Sequence, residues 1–238
     1  MLKRFAALLL FVLLLAPSMP IQAQDDGVIY GIAGFDADVR VGPDFAYPVI
    51  ARLPRNASVV VTGRAGDFFT SWDGRQWLQI EYGAGRAWVY ARLIRTSVAF
   101  NSIHPTGMIL PRNADGRVPE EFDLSTNVCD QWAGGFTQSG NFMAGDTRMT
   151  VTYPGLVGAN MYSVITISPA GNRTAFDSET TTGTIELENL PWEAGTYTWR
   201  VAPYWANSSY RYSWQQVCLL WTGGTFEKPD TTPKEDGE

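Results

Sequence analysis

The side chains able to carry metal, nucleophilic or general-base chemistry are few in this chain of 238 residues: one histidine, His104, and two cysteines, Cys129 and Cys218. A structural zinc site takes four nitrogen or sulfur ligands, and a thiol or hydroxyl nucleophile needs a partnered base. Those chemistries therefore lack their reagents. No G-x-S-x-G, H-E-x-x-H or phosphate-loop pattern occurs. Carboxylate pairs are the one enzyme chemistry the composition permits. Glu120 and Glu121 are neighbours, which in a strand point to opposite faces. Glu186 and Glu188 share a face but belong to no motif and read as solvent-facing strand residues. The sequence predicts a protein that is not an enzyme and holds no cofactor or metal.

What the chain does have is aromatic rings and arginines. It carries 9 Trp, 10 Tyr and 12 Phe, and its only lysines are Lys3, Lys228 and Lys234. Rings stack on sugars and pack on peptides, and the planar guanidinium fork clamps carboxylates, so these are the residues of a binding protein. The elements that must position them are short. Between residues 27 and 96, glycine and proline punctuation separates apolar runs at 28–33, 39–41, 49–53, 58–62, 77–82 and 87–90. Runs of that length, rich in Val, Ile, Trp and Tyr and without helical periodicity, predict the strands of a small barrel.

The residues of this stretch also carry a resemblance. Ala37-Asp38-Val39-Arg40-Val41-Gly42-Pro43, then Val49-Ile50-Ala51-Arg52-Leu53, Ser58-Val59-Val60-Val61, Trp77-Leu78-Gln79-Ile80, Gly85-Arg86-Ala87-Trp88-Val89-Tyr90 and Leu93-Ile94 are similar in order and spacing to the bacterial SH3-like domain family. The chain departs from the family pattern at Ala37 and Asp38, where leucine and asparagine are usual. It departs again at Asn56 and Ala87, where the family has glycine. The resemblance implies a five- to six-stranded barrel that binds ligands without catalysis, commonly cell-wall peptides or glycans. Val39 and Trp88 match positions that are mostly core. Arg40 has two roles open to it, clamping a ligand carboxylate or pairing with Asp38 or Asp44 to hold its own loop. The loop at 64–76 brings Phe68, Phe69 and Trp72 among glycines and aspartates, either exposed for stacking or folded over the barrel end. We expect Tyr47, Trp72 and Tyr90 to line a ligand groove with Arg40.

Residues 97–122 contain Pro105, Pro111 and Pro119 and read as a linker, either an ordered connection or a first edge strand, with His104 inside it. Beyond it, strand patterns recur at 148–153, 162–168, 182–187, 196–203 and 212–221. Thr196, Thr198 and Arg200 alternate with Tyr197, Trp199 and Val201. About 100 residues with this spacing, 123–226, suit an antiparallel two-sheet sandwich. The run Leu190 to Val201, with a loop leucine ahead of a turn and a Tyr-bearing strand, is similar to immunoglobulin-like and fibronectin type III domains. The fold class expected for the whole chain is thus all-β, an SH3-like barrel followed by an immunoglobulin-like sandwich. Tyr204 and Trp205 flank the polar turn Asn207-Ser208-Ser209 and are candidate ligand-stacking residues at one end of the sandwich, unless they pack within their own hairpin.

Residues 1–23, with Lys3 and Arg4 ahead of an apolar run that ends at Pro17 and Ala23, have the layout of a secretory signal peptide. The run is short for a bilayer span of about 20 residues, so no stable membrane insertion is expected after cleavage, with an uncleaved anchor as the minority alternative. Export turns Cys129 and Cys218 into a candidate disulfide, joining the first and final strands of the sandwich, with two free thiols as the alternative. Residues 227–238 read as a disordered acidic tail. Without residues 1–23 the net charge is about −8, from 24 acids and 16 remaining bases, and it lies in the second half. That balance argues against nucleic acid or anionic lipid as a partner. The functional expectation is a secreted or envelope-bound, non-catalytic binding protein whose SH3-like domain recognises cell-wall peptide or glycan. The alternative is a structural or adhesion protein whose sandwich binds another exported protein or a carbohydrate.

Overall fold

A computed structural model of the chain describes residues 27–66, 76–133, 142, 146–208 and 211–230. The signal peptide expected at 1–23, the loop residues Phe68, Phe69 and Trp72, and residues 231–238 of the expected tail lie outside these.

The apolar runs of the first stretch become β1 (Ile29–Ala33), β2 (Ala37–Arg40), β3 (Val49–Leu53), β4 (Ser58–Ala65), β5 (Trp77–Tyr82), β6 (Gly85–Tyr90) and β7 (Ile94–Thr96). They hydrogen-bond in the order β3-β2-β6-β5-β4-β1-β7, antiparallel throughout. Alternation along β2 and β4 sends Val39, Val59 and Val61 inward to meet Leu78, Ile80, Val89 and Ile94. The turn into β4 is made by Asn56 at φ 69°, the left-handed position where the family has glycine. Val39 and Trp88 are buried, as their matched positions imply.

The segment read as a linker is partly barrel. β8 (Pro105–Gly107) pairs parallel to β4, and Ile103 lies in the barrel core. Arg64 holds it there: its Nε donates to the Ile103 carbonyl at 2.8 Å and its backbone N–H to that of His104 at 3.0 Å. Of the two readings open in the sequence, the edge strand holds for Pro105–Gly107, fixed by an arginine and by the close fit of Gly107 under the Trp88 ring.

The second half begins with a short helix, α1 (Val128–Ala133), and continues through β9 (Arg148–Thr152), β10 (Met161–Ile167), β11 (Arg173–Ser178), β12 (Thr182–Glu186), β13 (Gly195–Trp205), β14 (Gln215–Gln216) and β15 (Trp221–Lys228). One sheet runs β11-β10-β13-β14 with β15 also on β13; the other pairs β12 with β9. All pairings are antiparallel. Met149, Val151 and Ile185 from the small sheet pack on Val164, Tyr197, Trp199 and Val201 from the large one, so the two sheets enclose one core. Two antiparallel sheets facing each other across one core make this half a β-sandwich. The Tyr197 hydroxyl donates to the carbonyls of Pro191 and Glu193, both at 3.1 Å, a tyrosine corner at the start of its strand.

Three expectations for this half change. The strand expected at 212–221 is instead a 3₁₀ turn at Arg211–Ser213, the brief β14 and a loop; the last strand is β15. It runs through Glu227 and Lys228, so the expected tail does not begin at 227. Cys129 and Cys218 are bonded, with their Cα atoms 5.5 Å apart. The bridge ties α1 to the loop between β14 and β15 and does not join two strands.

Candidate functional site

The site is built on the loop between β2 and β3. Along β2, Ala37 and Val39 point inward, which leaves Asp38 and Arg40 on the outer face. Arg40 then turns back over the loop: one guanidinium nitrogen donates to the carbonyls of Phe45 at 3.0 Å and Tyr47 at 2.7 Å, and the other to Asp38 at 3.3 Å. Of the two roles open to Arg40, the geometry is that of a loop clamp. Asp44 finishes the turn by accepting the Ala46 N–H at 2.8 Å.

That clamp sends two rings in opposite directions. Tyr47 goes down, 1% exposed, with its ring against Gly42, where any Cβ would overlap it. It joins the core of the sandwich, and its hydroxyl oxygen accepts the Val128 N–H. Burial pushes its phenol well above the ordinary value. Tyr47 is therefore not a groove residue, which corrects the sequence reading. Phe45, two residues earlier and absent from that reading, goes up and stays 51% exposed.

Phe45 stands edge-on to Trp77 at 4.9 Å and to Tyr90 at 5.2 Å, while Trp77 and Tyr90 sit opposite each other across β5 and β6. The Arg40 guanidinium lies 5.6 Å from the Phe45 ring centre. These rings floor a shallow groove of about 100 Å³, walled by Asp36, Asp38, Arg52 and Leu93. Asp38 meets Arg52 at 3.7 Å and Asp36 accepts the Arg55 N–H at 2.9 Å. Tyr90 and Arg40 thus belong to the groove, while Phe45, Trp77, Asp36 and Arg52 complete it. Trp77, an aromatic next to the 64–76 loop in the sequence, is the first residue of β5 and faces Tyr90 at the far end of the β5–β6 hairpin.

The other candidate pair packs within its hairpin. Tyr204 and Trp205 end β13 and are both half-buried, Trp205 against the sandwich core. Tyr204 lies 6.2 Å from the Trp214 ring, and the Trp214 indole N–H donates to the Ser208 carbonyl at 3.0 Å. Arg211 closes the turn on Asp177 at 2.6 Å and on the Ser163 hydroxyl at 3.0 Å. The Ser208 and Ser213 hydroxyls hydrogen-bond each other at 2.7 Å.

A small barrel with an aromatic groove flanked by paired charges has the design of a binding module. Its family is explicit: residues 36–95 match the family model of the bacterial SH3 domain, so this part of the chain is a bacterial SH3 domain. Such domains bind, and are often associated with the cell wall. No curated protein and no solved structure matches the chain.

Proposed function

We propose that the protein is an exported, non-catalytic binding protein of the bacterial cell envelope, whose SH3 domain holds a wall peptide or glycan in the Phe45–Trp77–Tyr90 groove. The observation that carries the reading is Phe45, a ring half open to water yet held in place by Arg40 and by two neighbouring rings. An exposed ring fixed in advance loses little conformational entropy when a ligand stacks on it. Export, with residues 1–23 as signal peptide, is supported by the Cys129–Cys218 bridge, since such bonds persist in oxidising compartments.

The test is retention of the chain on purified, insoluble cell wall. It calls for the undivided protein, because Tyr47 of the barrel sits in the core of the sandwich and cutting between them would expose both. Retention that is lost on truncating Phe45 supports the reading. No retention by the intact chain sinks it and favours a protein partner for the sandwich.

A further inference from the structure

We propose that the binding site continues past the barrel into a cleft at the junction with the sandwich, and that the combined site takes a short zwitterionic peptide. This rests on the groove being a binding site. Phe45 is the shared wall: one side faces the groove, the other a cleft of about 640 Å³ bounded by Ala46, Arg112, Arg117, Pro119 and Glu120. The groove alone, about 100 Å³, holds little more than a single side chain, whereas the cleft falls within the usual range of ligand sites, roughly 300–1,000 Å³.

The cleft is rigid at its base. Arg112 bridges the two domains by pairing with the buried Asp44 at 2.5 Å, and its backbone exchanges hydrogen bonds of 2.9 and 2.8 Å with the Gln215 side chain. The charge of Arg112 is therefore already matched. The charges left at the rim are Arg117, 84% exposed and only 3.7 Å from an exposed Asp115, and Glu120, also exposed. Exposed pairs of that kind are weak and exchange readily for a better partner. At the groove end the rim again presents both signs: Asp38 and Arg52, 43% and 69% exposed, beside Asp36 and Arg40. A site with a cation and an anion at both ends complements a ligand bearing amines and carboxylates. A neutral glycan would leave those charges unused.

The experiment is calorimetric titration of the full chain with two probes: a synthetic wall tetrapeptide carrying one free side-chain amine and two carboxylates, and a peptide-free glycan oligomer. Arg117→Ala and Glu120→Ala lie on the surface and leave the core untouched. The peptide should bind wild type and should bind the double variant at least about tenfold more weakly, the size of one charge-assisted hydrogen bond. The glycan should not bind. Equal peptide affinity in wild type and double variant, with Phe45→Ala abolishing it, would overturn the cleft and leave the groove standing. Binding of the glycan alone, or retention on whole wall with neither probe bound, would overturn the zwitterionic ligand. Failure to bind whole wall would remove the underlying reading instead.

Discussion

The Tyr47 hydroxyl oxygen, on a barrel loop, accepts a hydrogen bond of 3.4 Å from the backbone N–H of Val128, the first residue of the sandwich's helix. Its ring lies in the sandwich core, and Asp44, three residues away in the same loop, pairs with Arg112 beyond β8. The two domains are therefore predicted to unfold as one. Tyr47→Ala would remove a buried ring at a cost of about 3–5 kcal/mol. Calorimetry should show a single transition in wild type and two separated ones in the variant. Two transitions already in wild type would contradict the shared core.

Alkaline pH should unfold the protein. Burial raises the phenols of Tyr47, Tyr162 and Tyr197, and pushes that of Tyr153 up to about 12. A group whose folded value is raised contributes stability that is complete below its unfolded value, 10.0 here, and is lost as pH rises toward the folded value. Denaturant midpoints should therefore be insensitive to tyrosine ionisation below about pH 9.5 and fall above it. Tyr153→Phe should flatten that fall, at the cost of the bond its hydroxyl donates to the Thr180 carbonyl at 3.1 Å.

Reduction should loosen the sandwich from its helix end. The Cys129–Cys218 bond closes a loop of 89 residues, worth about 4–5 kcal/mol by chain entropy. Because α1 also carries Val128, the partner of Tyr47, a Cys129→Ser/Cys218→Ser chain should lose protection from hydrogen exchange at Val128 and in the barrel loop together. Loss confined to the sandwich would argue against the coupling.

Much of the fold was legible in residues. Val49–Leu53 and Trp77–Tyr82 are strands with the bounds their apolar runs suggested, because β-branched and aromatic residues there are bracketed by turn formers. The strand β11 was not, since Arg-Thr-Ala-Phe-Asp-Ser offers one large apolar side chain, Phe176, at the edge of a sheet. Nor was β15, whose Gly223-Gly224 breaks any pattern. Gly223 lies under the Trp199 ring, where a Cβ would overlap the indole, so glycine here serves packing and not a turn.

The site was half legible. Arg40 and Tyr90 could be chosen because they sit at matched positions beside a turn. Choosing between Phe45 and Tyr47 required knowing which way a clamped loop turns each ring. That direction depends on Gly42 making room below, on two carbonyls bound by Arg40, and on a helix more than 80 residues further along. No local pattern contains the last of these.

The most direct measurement is the affinity of the full chain for purified cell wall, compared with Phe45→Ala and with Tyr82→Ala, an exposed ring remote from the groove walls. Losing a stacking ring from a groove should weaken binding by about 1–3 kcal/mol, roughly 5- to 150-fold. Tyr82→Ala should bind as wild type does. Equal retention of Phe45→Ala and wild type, with both folded by circular dichroism, would contradict the groove as the place where this protein binds.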